Sequence, residues 1–112
     1  TIDFALVRLT NILDNMIVYP KKMFENLNIT KGLIFSQEIM LELTKNGLTR
    51  EKSYKIVQNC AKKCFAEDLD LFNVISSDKF IMSKISNKKL KSIFSYSKHL
   101  KNVNLIFRRV FK

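Results

Sequence analysis

Two Gly and one Pro among 112 residues give the backbone almost no breaking points, and no stretch alternates apolar and polar side chains for long. Apolar residues recur instead at helical spacing from end to end, so the chain reads as an all-α domain. In residues 2–19, Ile2, Leu6, Leu9, Leu13 and Met16 repeat at alternating steps of four and three, and Ala5, Ile12 and Tyr19 widen the stripe. That pattern predicts the end of a long bundle helix, stopped by Pro20 because a residue before proline is pushed out of the helical region.

A short helical turn through Met23 and Phe24 is expected next, followed by a link over residues 26–30 and a second long helix to about Asn46. Leu33, Ile34, Ile39, Met40 and Leu43 should face its core. Gly47 sits where a left-handed C-terminal cap is wanted, and Thr49 is an N-cap candidate with Glu51 in the first turn complementing the helix dipole. A helix over residues 50–66 would bury Tyr54, Val57, Ala61, Cys64 and Phe65. Shorter helices are expected over 71–75, 79–84 and 88–94, the last capped by Ser86. A final helix over 98–111 carries Leu100, Val103, Ile106, Phe107, Val110 and Phe111 and is expected to dock back on the earlier ones. No repeat, Gly/Ser linker or low-complexity tract suggests a second domain.

Apolar content of 46%, with nine Phe, suffices for one core. No apolar run approaches the roughly 18–20 residues of a membrane span, and no signal-peptide pattern opens the chain; a soluble, cytoplasmic protein is expected. The start at Thr1, inside an apolar helical pattern, points to a fragment of a longer chain. The formal charge of +10 lies entirely beyond Leu48: residues 1–48 hold five basic and five acidic side chains, residues 49–112 fifteen and five. Such an excess is an electrostatic footprint for nucleic acid. Against that reading, the abundance of Lys, Asn, Ile and Phe matches A/T-rich coding bias. Lys outnumbers Arg sixteen to four, although Arg is the better residue for bidentate phosphate contacts. Nucleic acid is therefore not the expected partner.

Catalytic patterns are almost absent. His99, the sole histidine, has no local carboxylate or cysteine at ligand spacing, and with Cys60 and Cys64 it does not complete a zinc site. One turn apart on one helix, the two cysteines are poorly placed for a disulfide and read as reduced core residues. Glu67, Asp68 and Asp70 lack the glycine turn and spacing of a calcium loop and read as a solvated helix end. Gly32 and Gly47 do not form a phosphate cradle. Arg108 and Arg109 complement the dipole at a helix C-terminus. No metal or cofactor is expected.

Three stretches resemble adenylosuccinate lyase of the bacterial type. Residues 3–37, with Tyr19-Pro20 and the run Asn28-Ile29-Thr30-Lys31-Gly32-Leu33-Ile34-Phe35-Ser36-Gln37, are similar to that family's passage from the long central helix into the C-terminal domain. Residues 43–65 carry its pattern of a helix end, a glycine, Thr49-Arg50-Glu51, then Tyr54-x-x-Val57-Gln58. Residues 99–111 resemble its terminal helix, although Asn104, Leu105 and Arg108 stand where acidic or neutral residues are usual.

The resemblance implies the compact helical C-terminal domain of a fumarase/aspartase-superfamily lyase. The parent would be a homotetramer with a four-subunit helical bundle, cleaving a C–N bond in a nucleotide substrate to release fumarate. It also implies that the general base and acid, a loop serine and histidines, lie in other domains. No catalytic residue is therefore expected in this chain. Lys31, beside the motif, is the one candidate substrate-binding residue, as a cleft-facing cation that draws in an anionic substrate.

Overall fold

The computed structural model describes residues 1–111, and among them there is no strand. The chain runs through α1 (Ile2–Asp14), α2 (Pro20–Asn28), a 3-10 turn (Leu33–Phe35), α3 (Ser36–Lys45) and α4 (Arg50–Glu67). The short helices α5 (Leu71–Ser77), α6 (Lys79–Lys84), α7 (Asn87–Ile93) and α8 (Ser97–Leu100) follow, then α9 (Val103–Val110). The all-α class expected from the periodicity holds.

A compact body forms between Leu33 and Tyr96, where α3 packs on α4 and α7, and α4, α5 and α6 pack in succession. Phe35, Ile39 and Leu43 supply one face of its core; Val57, Cys60 and Cys64 supply the α4 face. Leu71, Ile75, Ile81, Ile85, Leu90 and Ile93 close it from the short helices. Each such aliphatic side chain taken out of water contributes about 1.5–3 kcal/mol. Ser53 is the one buried polar residue among those described, and Thr44 Oγ1 donates to its hydroxyl at 3.2 Å. The longest dimension, 61 Å, reflects α1, α2 and α9, whose residues are all exposed.

The α3–α4 hairpin follows the expected local chemistry. Gly47 adopts φ +94°, and Leu48 N–H returns to the Leu43 carbonyl at 3.3 Å, closing α3. Space around Gly47 is open, so conformation rather than room requires glycine there. The Thr49 hydroxyl accepts the Lys52 N–H at 3.3 Å and starts α4; Ser86 does the same for Lys89 N–H at the start of α7. Asp78 caps α6 through Phe80 and Ile81 N–H, at 2.9 and 3.0 Å.

Other boundaries differ from expectation. The first helix ends at Asp14 rather than Tyr19. Asn15 turns its side-chain amide back to the Asn11 carbonyl at 2.8 Å, and the β-branched Ile17-Val18 pair then runs into Tyr19, which is held out of the helical region before Pro20. Past Asn28 the chain enters consecutive left-handed residues, Lys31 at φ +49° and Gly32 at φ +83°, so no long helix can cross them and α3 begins only at Ser36.

On α4, Val57 and Cys64 are buried as expected and Ala61 half so, but the two aromatic residues are not. Tyr54 is 56% and Phe65 78% exposed, whereas Ser53 and Cys60 face the core. Ile34 likewise points outward. The terminal helix is broken at Lys101-Asn102, and α9 does not dock back: Ile106, Phe107 and Val110 stay more than half exposed.

Candidate functional site

Lys31 lies between two elements that only the fold brings together. Its carbonyl accepts the Leu71 N–H at 2.9 Å, and its ammonium pairs with the Asp68 carboxylate while donating to the Asp68 carbonyl at 3.0 Å. Asp68 is itself left-handed, at φ +56°, where α4 ends. Two non-glycine residues in the left-handed region thus clasp one another, each in a conformation that costs about 1 kcal/mol or more. The Lys31 side chain remains about one-third exposed and its charge is shared with Asp68. Among the residues expected at a solvated helix end, Asp68 therefore has a partner 37 positions away.

Gly32, next to Lys31, admits Phe94. A side-chain carbon at residue 32 would stand 2.9 Å from the Phe94 ring, in addition to the unfavourable φ. Phe94 in turn packs on Phe35 and Phe72, with ring centres 5.1 and 5.2 Å apart. Tyr96 packs on Phe35 and Phe24, and its hydroxyl donates to the Asn28 side-chain oxygen at 3.1 Å. The run from Asn28 to Phe35 is therefore wrapped around aromatic residues from the far end of the body.

His99 is not isolated, although no local signal gave its partner. Its Nε2 lies 3.1 Å from Glu38 Oε1, and Lys98 pairs with the other oxygen of the same carboxylate. This carboxylate ties α8 to the start of α3. Cys60 and Cys64 are free and buried in the core. Burial pushes both thiols above their ordinary value, with nearby Asp78 adding to the effect at Cys60 and Asp70 at Cys64. They are held as neutral thiols, the unreactive form. Among the described residues, no group of three or more His, Cys, Asp or Glu is placed to hold a metal ion. Among the same residues, no helix is long and apolar enough to cross a membrane.

The first and second of the resembling stretches meet on one surface. A groove of about 810 Å³ between α3 and α4 is lined by Ser36, Gln37 and Met40 from one wall. The other wall presents Arg50, Glu51, Tyr54, Lys55, Val57, Gln58 and Ala61. Polar residues quoted above for the resemblance, from Ser36-Gln37 to Arg50-Glu51 and Tyr54 with Gln58, thus share a single cleft although they make no part of the core. Only the i, i+4, i+8 spacing of Arg50, Tyr54 and Gln58 hints at this convergence in the sequence.

Among the described residues, the chain is thus an all-α domain built on a helical hairpin, closed by short helices and led by an apolar helix with no buried residue. The family model described as "Adenylosuccinate lyase C-terminus" matches residues 32–110, and the chain belongs to that family. Similarity extends over the whole chain: it is 42% identical to the adenylosuccinate lyase of Helicobacter pylori over 122 aligned residues, covering 100% of this chain and 28% of that protein. Against the adenylosuccinate lyases of Bacillus subtilis and Thermotoga maritima the identities are 38% and 35%, each over 97% of this chain and 25% of the relative. The chain thus spans about a quarter of the length of these curated relatives, at their C-terminal part.

Proposed function

We propose that these 112 residues form the C-terminal domain of an adenylosuccinate lyase, a cytoplasmic homotetramer of purine biosynthesis. The parent enzyme would cleave adenylosuccinate to AMP and fumarate, and the succinyl-carboxamide ribotide to its carboxamide ribotide and fumarate. Elimination of this kind needs a base to take a proton beside a carboxylate and an acid to protonate the departing nitrogen. This chain supplies neither. Its part is structural: α1 offers an apolar face to the bundle, and the body caps one end of it. The observation that carries the reading is the match of the whole chain to adenylosuccinate lyases, in order, on an all-α body.

The longer protein that carries this chain is expected to release fumarate from adenylosuccinate, and the chain by itself to release none. A longer protein that forms no fumarate would contradict the assignment, as would elimination by the chain unaided. The other reading, a basic helical module that binds nucleic acid or another protein, predicts steep salt-dependent retention on duplex or single strands. The similarity across the whole chain favours the lyase.

Lys31 keeps its proposed role as a cation at the mouth of the cleft, with Asp68 moderating it. In the longer protein, Lys31→Glu is expected to raise KM several-fold at low salt and leave kcat unchanged, the signature of weakened attraction of an anionic substrate. Asp68→Asn, which frees the ammonium, should lower KM. Steady-state kinetics that move in neither variant would assign Lys31 to the clasp alone.

A further inference from the structure

We propose that the α3–α4 groove binds a purine nucleoside monophosphate. The groove's volume of about 810 Å³ falls in the range of roughly 300–1,000 Å³ typical of small-molecule sites. Its lining is graded along its length. At one end, Gln37 and Gln58 offer side-chain amides, with Ser36 beside them; a carboxamide can donate to and accept from two adjacent positions on a purine edge. In the middle, Met40 and Val57 form an apolar floor, and Tyr54 stands 56% exposed as a ring on which a base can stack.

At the other end lies Arg50, with Lys55 along the same wall, and neither is engaged in an ion pair among the described residues. Arg50 and Gln58 are eight positions apart on α4, which at 1.5 Å rise per residue separates them by about 12 Å. That is the reach needed to hold a base edge at one end and a phosphate at the other. Glu51 sits on the same rim and opposes an anion, so the net attraction is that of two cations against one carboxylate.

Ordinary core packing does not explain this arrangement. Gln37, Arg50, Tyr54, Lys55 and Gln58 are all exposed, and none makes a side-chain hydrogen bond among the described residues. The choice of AMP as the probe rests on the lyase reading; the geometry of the groove does not.

The test is a titration of the ¹⁵N-labelled chain with AMP, adenosine and inorganic phosphate, read by NMR. AMP is expected to shift the amide signals of Gln37, Tyr54 and Gln58 saturably, and more tightly than adenosine or phosphate. Arg50→Ala should weaken AMP about tenfold, the loss expected for a charge-assisted contact, and leave adenosine unchanged. Gln58→Leu should weaken AMP and adenosine alike and leave phosphate unchanged. Glu51→Gln should tighten AMP.

Non-saturating shifts, or AMP binding indifferent to all three substitutions, would overturn the proposal. So would AMP and bare phosphate binding equally, which would mark only a cationic surface. Failure of the longer protein to release fumarate would remove the lyase reading and leave this titration to be judged alone. An active lyase whose domain ignores AMP would remove this proposal only.

Discussion

Phe35→Ala is expected to lower the unfolding free energy by about 3–5 kcal/mol, the cost of removing a buried aromatic ring and leaving a cavity. Phe35 is 4% exposed and meets Phe94 and Tyr96 in a ring cluster that also carries Phe24 and Phe72. A domain of this size holds only about 5–15 kcal/mol in total. The variant should therefore unfold at much lower denaturant and lose ring packing around Gly32 before the α3–α4 hairpin melts. Urea unfolding followed by far-ultraviolet circular dichroism measures the loss. A change below about 1 kcal/mol, the size of an ordinary surface substitution, would mean that the cluster does not organise the body.

The second large effect is expected on assembly. Leu6 and Leu9 lie on the α1 stripe and are 57% and 51% exposed, with Ile2 and Leu13 exposed along the same helix and Met16 just beyond its end. A continuous apolar surface of this kind is rare on a protein that stays single in water. In the proposed homotetramer it is buried in the bundle, where each leucine contributes about 1.5–3 kcal/mol and an introduced carboxylate would be unpaired. Leu6→Glu with Leu9→Glu in the longer protein should shift the tetramer to smaller species in sedimentation. The helical signal should stay intact, because neither residue touches the core of this domain. A tetramer of unchanged stability would show that α1 is not part of the bundle.

Much of the fold was legible because its signals are local. Gly47, Thr49 and Ser86 punctuate helices through bonds to backbone groups three to five residues away, and each stands where the sequence puts it. Ile39 and Leu43 were readable as core because an isolated stripe four residues apart leaves little choice of face. On α4 the choice was open. Apolar side chains occur on two sides, and only packing against α3 and α5 decides that Ser53 goes in and Tyr54 out.

The breaks before Pro20 and at Lys31 were missed for a different reason. An asparagine turning back on its own helix, or a lysine held left-handed by a distant carboxylate, looks in sequence like any helical residue. The site was less legible than the fold. Lys31 and Asp68 are 37 residues apart, Glu38 and Lys98 are 60 apart, and nothing in local spacing links either pair. The groove is an intermediate case: its α4 wall is written in a spacing of four, but its facing wall exists only once Gly47 has folded α3 back.

The most direct test of the assignment is a graft. The C-terminal quarter of the Bacillus subtilis adenylosuccinate lyase, the part to which this chain is similar, is replaced by residues 1–112, and fumarate release from adenylosuccinate is measured beside the same protein with that quarter removed. The graft is expected to assemble and release fumarate, while the truncated protein does not. A graft that assembles as the parent does yet forms no fumarate would contradict the claim that this chain is an adenylosuccinate lyase's C-terminal domain.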